Sequence, residues 1–96
     1  MAVRLIVTIT AAAGKGSELA QAFKPRCLEI MKEPGCEQFE LFQSVVDPDK
    51  LALLERWMDQ GGLDAHARLH SPLPPFKPEL SAANTEREDY TYNRTR

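Results

Sequence analysis

The N-terminal segment places Val3, Leu5, Val7 and Ile9 on alternate positions, the period of a strand that buries one face. Gly14, Lys15 and Gly16 then make a turn, and Ser17 stands where an N-cap accepts a hydrogen bond from a first-turn amide. Leu19, Phe23, Cys27, Ile30 and Met31 follow at helical spacing and lay one apolar stripe along a helix running to about Lys32. Pro25 lies inside that helix and removes a backbone donor, which predicts a kink or a late helix start. Pro34 and Gly35 end the segment.

From Cys36 to Val46 the pattern alternates again, with Phe39, Leu41 and Gln43 on one face and Glu40, Phe42 and Ser44 on the other, up to a turn at Asp47, Pro48 and Asp49. Leu51 to Met58 makes a third strand, antiparallel to the second because the connection is too short for a crossover. Asp59 is placed to cap a second helix from about Gln60 to Leu69, in which Gly61 and Gly62 cost about 1 kcal/mol each relative to alanine. Pro72, Pro74, Pro75 and Pro78 exclude a regular helix across their span. Pro78 suits the first position of a short helical turn reaching about Ala83, and Glu88 to Thr95 reads as a fourth strand with Tyr90 and Tyr92 on one face.

The order strand, helix, strand, strand, helix, strand is the split βαβ arrangement of a ferredoxin-like α+β fold. The 96 residues make one domain, 1–96, with its core in residues 2–70 and an irregular connection over 71–84. Such a fold covers one sheet face with helices and leaves the other bare, so apolar residues there, Phe42 and Ile6, call for a partner. A chain this short buries only about 60 to 65% of the surface its unfolded form exposes, which points the same way.

Composition narrows the function classes. A formal charge of −2 with dispersed Lys and Arg offers no basic stripe for a phosphate backbone, so nucleic acid is excluded as a partner. No stretch approaches the roughly 20 apolar residues that span a bilayer. Arg4 and the apolar run behind it imitate a signal peptide, but the run is short and carries Thr8 and Thr10, and the strand period wins. Cys27 and Cys36 lack the density of a disulfide framework and the spacing of a zinc site, and read as reduced thiols of a cytoplasmic protein. Gly14 to Ser17 falls short of a phosphate loop, because the residues that separate its glycines are missing. His66 and His70 have the spacing of two ligands on one helical face, yet no third ligand stands out, so no metal is expected.

Phe39, Glu40 and Leu41, then Asp47 and Pro48, then Leu54, Glu55, Arg56 and Trp57, then Leu63, Asp64, Ala65 and His66 resemble antibiotic-biosynthesis-monooxygenase domains, and Glu33, Pro34, Gly35 and Cys36 fit the same pattern. The resemblance covers about Val3 to Pro72 and is most specific from Glu55 to His66. It implies a homodimer whose two sheets form an α+β barrel with helices outside, and a pocket in each subunit between sheet and helices. Relatives include cofactor-independent oxygenases of quinols and polyketide phenols, and haem-degrading proteins. Haem degraders carry an asparagine in the first strand and a ligating histidine in a third helix. Val3 to Thr10 and Pro74 to Ala83 lack both, which disfavours haem degradation.

His66 is the candidate for proton transfer, since imidazole both accepts and donates near neutral pH, although a histidine tying the helix to a backbone carbonyl would look the same. Glu55 and Trp57 lie two apart and share a strand face. The indole N–H can aim at a substrate oxygen, or the ring can be ordinary core, and Glu55 can tie strand to helix. Phe39, Tyr90 and Tyr92 complete the candidate substrate contacts. Two functions fit these residues. One is a cofactor-free monooxygenase or quinol oxidase acting on an electron-rich phenol or quinol, and the other is a dimeric module that binds a small aromatic ligand without turnover.

Overall fold

A computed structural model describes residues 2–70 and 77–91, with the backbone alone at 82–84. The elements are β1 (Val3–Ala11), α1 (Gly16–Ile30), β2 (Cys36–Gln43), β3 (Lys50–Trp57), α2 (Gln60–His70), a 3-10 turn (Pro78–Leu80) and β4 (Ser81–Thr91). The strands form one antiparallel sheet in the order β2-β3-β1-β4, which is the ferredoxin-like arrangement. Among the described residues no helix is long and apolar enough to cross a membrane.

The alternation read from the chain sorts the faces. Val3, Leu5 and Ile9 of β1 and Leu51, Leu53 and Trp57 of β3 turn inward against Leu19, Phe23 and Ile30 of α1 and Leu63 of α2. In β3 the run of inward positions includes Glu55, so a carboxylate occupies a core slot. The other face carries Ile6, Leu54 and the half-exposed Phe42 and Tyr90, beside Arg4, which donates to Gln38. Phe42 and Ile6 therefore stand on the bare face that the pattern assigns them.

Four local expectations need correction. Ser17 does not cap α1: Lys15 is the N-cap residue, without a side-chain cap bond. Asp49 of the β2–β3 turn performs that service from outside the helix, accepting from Gly14 N–H and Gly16 N–H at 2.9 Å. A carboxylate at a helix start is favoured by the dipole as well as by the free amides. The helix begins before Pro25, runs through it and ends at Ile30, which leaves Met31 partly exposed at the C-cap. After α2, the helical turn stops at Leu80 instead of Ala83, because Ser81 pairs with Ala11 and Ala12 N–H donates to the Leu80 carbonyl. The last strand accordingly starts at Ser81 rather than Glu88, and positions beyond Thr91 lie outside the described residues.

The turn between α1 and β2 holds a carboxylate against the second helix. Glu33 N–H bonds the Ile30 carbonyl, and Cys36 N–H bonds the Glu33 carbonyl. Gly35 supplies a φ of +82°, a conformation that L side chains disfavour, and its carbonyl accepts from Met58 N–H. Pro34 and Gly35 thus fix Glu33 against the end of β3. The start of α2 rests on the same turn, with Asp59 accepting from Gly62 N–H as the expected cap. A Cβ on Gly62 would lie 3.3 Å from the Pro34 carbonyl oxygen and 3.5 Å from the Trp57 ring, so the glycine that weakens the helix also lets it close on the sheet.

Candidate active site

Trp57 ends β3 between Val3 and Cys36, and its side chain is fully buried beneath α2. Its indole Nε1–H donates to Glu55 Oε1 at 2.9 Å. The donor read as available to a substrate oxygen is therefore taken up inside the strand. Glu55 is 5% exposed. Burial pushes its carboxyl above the ordinary range, against the opposing pull of the Trp57 hydrogen bond and the nearby His66. The pair satisfies itself, as a polar group in a core slot must.

The second constellation lies above that floor. His66 stacks its ring 4.9 Å from the Trp57 ring and 5.8 Å from Phe39, centroid to centroid. Its Nδ1 is 2.9 Å from Glu33 Oε1, and His70 Nε2 is 2.8 Å from Glu33 Oε2. The two imidazoles sit one helical turn apart with centroids at 4.4 Å. Burial by itself would raise the Glu33 carboxyl, but the hydrogen bonds from His70 and His66 outweigh it and hold the group below its ordinary value. An ionised carboxylate only accepts, so His66 Nδ1 carries the proton, and in the neutral ring Nε2 is left with a lone pair. Sequence reasoning missed Glu33 as a site residue. Its position before Pro34 and Gly35 marks a fixed turn, but nothing in the chain says which helical residues that turn faces.

The structure brings together His66, Trp57, Glu55 and Phe39 on the helix-covered face of the sheet. It does not bring Tyr90 to them. Tyr90 pairs with Arg4, which pairs with Arg56, so its side chain lies on the opposite face, where its hydroxyl donates to Glu88. Its expected place among the substrate contacts on the Trp57 side is corrected by that register. Tyr92 lies outside the described residues. On the helix side of β4 stand instead Arg87 and Asp89, joined by two hydrogen bonds of 2.6 Å.

A conserved-domain comparison gives this geometry its context: the profile of the antibiotic biosynthesis monooxygenases matches residues 2–72. The chain belongs to that family. Among solved structures, this monooxygenase-family chain is similar to a conserved protein from Methanosarcina mazei Go1, at 28% identity and a TM-score of 0.80 over 97% of this chain and 94% of that one. A Pseudomonas aeruginosa protein matches at 24% identity and a TM-score of 0.77, over 97% of this chain and 95% of that one. A Nitrosomonas europaea protein, provisionally named an antibiotic biosynthesis monooxygenase, matches at 20% identity and 0.78, over 96% and 98%. Curated proteins yield no match. For this family member the candidate site is thus two layers, a buried indole–carboxylate pair in the sheet and, above it, a partly buried carboxylate with two histidines of α2.

Proposed function

We propose that this member of the antibiotic biosynthesis monooxygenase family oxygenates an electron-rich phenol or quinol without a bound cofactor, as a homodimer joined through the bare sheet face, with His66 as the base. The observation that carries the reading is the 2.9 Å contact between His66 Nδ1 and Glu33 Oε1. It orients the ring, leaves Nε2 as the acceptor, and supplies a negative charge to stabilise the imidazolium that forms when Nε2 takes a proton.

The chemistry balances with molecular oxygen as oxidant. His66 removes the phenolic proton, and the phenolate passes one electron to O2, giving a phenoxyl radical and superoxide. Their recombination forms a carbon–oxygen bond. Loss of the ring C–H proton breaks the O–O bond, and the departing hydroxide recovers the first proton from His66 as water, leaving a quinone. The fold contributes deprotonation, placement and exclusion of water. Trp57 and Phe39 act beneath His66 as a rigid aromatic floor rather than as substrate contacts, since both are buried.

Oxygen uptake by the purified protein with a panel of quinols tests the reading. Uptake is expected with at least one of them and falls by about 100-fold or more in His66→Ala, the lower range for loss of a positioned base. No uptake across the panel, or equal uptake by the variant, overturns it. Sedimentation of the same sample is expected to show a dimer, converted to monomer by Phe42→Glu.

A further inference from the structure

The pairing of His66 and His70 at ligand spacing fails as a metal motif in the sequence for want of a third donor. The fold supplies one. Glu33, His66 and His70 each present a ligand atom, and these atoms all lie within 4.8 Å of one another. We propose that these three side chains form a binding site for a first-row divalent transition ion such as Zn2+, reached from the groove between α1 and α2.

Donor chemistry sets the class of ion. Two imidazole nitrogens and one carboxylate oxygen suit zinc, cobalt, nickel or copper, whereas calcium and magnesium take oxygen ligands. Ligand bonds of about 2.0 to 2.2 Å place neighbouring donors of a tetrahedral site roughly 3.3 Å apart. The two nitrogen-to-oxygen separations here are 2.9 and 2.8 Å. These two contacts run to different oxygens of Glu33, Oε1 and Oε2, and the donor set is held only within 4.8 Å, so side-chain rotations that part the hydrogen-bonded pairs and draw the wider separation in toward about 3.3 Å admit the ion.

The donors are also held in advance. Both histidines project from one face of α2, one turn apart. Glu33 is fixed by its own backbone bonds and by the Pro34 and Gly35 turn that abuts Gly62 of the same helix. Access is independent of these bonds. A groove of about 640 Å³ is lined by Ala22, Arg26, Ile30 and Leu69 and has Glu33 and His70 in its wall. Three protein ligands, two of them in the wall of an open groove, leave a coordination position for water or an exogenous ligand, the composition of a His2Glu site.

Metal binding does not depend on the oxygenase reading, because it is measured without substrate. The two meet at one atom: an ion on His66 Nδ1 moves the ring proton to Nε2 and removes the acceptor, so one chain serves as base or as metal site, not both at once.

The test is titration of chelator-treated full-length protein with Zn2+ by calorimetry and with Co2+ by visible absorption. One ion per chain is expected, with cobalt ligand-field bands and displaced imidazole nitrogen resonances of His66 and His70 in the wild-type protein. Glu33→Gln and His70→Ala are each expected to weaken binding by about 100-fold or more, since even outer-shell changes cost 10- to 100-fold. Glu29→Gln, in the same groove but outside the donor set, is expected to leave it unchanged. Circular dichroism checks that each variant is folded, and if His70→Ala is not, the near-isosteric Glu33→Gln decides. Absence of stoichiometric binding, imidazole resonances that stay in place, or equal affinity in wild type and Glu33→Gln overturns the proposal.

Discussion

Glu55 and Glu33 are the same residue type on the same side of the sheet, some of whose neighbours they share, and their environments push them in opposite directions. Glu55 fills a core slot of β3 with one donor, the Trp57 indole, and burial wins, raising its carboxyl. Glu33 sits in a turn at the mouth of a groove with two imidazole donors, and the hydrogen bonds win, lowering it. Donor count against desolvation decides the sign. The outcome separates a carboxylate that builds the fold from one that is kept charged and in reach of other groups.

The largest effect that checks this separation lies in the structural layer. Trp57→Ala removes a fully buried indole from between β1, β2 and α2. It is expected to cost about 3 to 5 kcal/mol in urea unfolding, the range for large aromatic truncations in a core. A loss below about 1 kcal/mol would mean that the floor beneath His66 is not packed as described, and the comparison would lose its structural half.

The sequence shows these two layers unequally. The strand and helix order, the inward row Leu51, Leu53, Glu55 and Trp57, and the Asp59 cap are legible because each depends on spacing within one element. The features that went unread depend on contacts between elements. Asp49 caps α1 from another turn, Glu33 meets α2 across 33 and 37 positions, and Tyr90 leaves the Trp57 side because of strand register. Ser81 joins β4 early for the same reason, since pairing with Ala11 overrides a local pattern of small residues with no alternation. The site's histidine was legible as a candidate, and its partner was not.

A smaller effect sharpens the Glu55 half. Glu55→Leu strands the Trp57 N–H in the core, whereas Glu55→Gln keeps an acceptor for it, so the leucine variant is expected to be less stable by about 1 to 3 kcal/mol. The glutamine variant also isolates the charge. A carboxyl whose folded pKa is raised contributes stability that is fully present below its unfolded value, about 4.3, and is lost as pH rises through the folded value. Wild type is therefore expected to lose stability relative to Glu55→Gln as pH rises from about 4 through the raised folded value, and to run parallel to it above that value. Urea unfolding of both proteins across that range reads the difference directly, and a flat difference would contradict a raised Glu55.

The smallest effect on stability falls on Glu33, and it carries the most chemistry. In Glu33→Gln the amide oxygen still accepts from His66 Nδ1–H, and the amide N–H donates to His70 Nε2 once that ring changes tautomer. Among the described residues no hydrogen bond to His70 Nδ1 resists the change. Both bonds survive in neutral form, and the expected cost in unfolding is within about 1 kcal/mol. What disappears is the charge that steadies a protonated His66. Oxygen uptake is therefore expected to fall by more than about 10-fold in a protein of nearly native stability, because a positioned base loses its electrostatic support without losing its place. If Glu33→Gln instead unfolds the protein as readily as Glu55→Leu while sparing turnover, Glu33 belongs to the structural layer, and the contrast between the two carboxylates collapses.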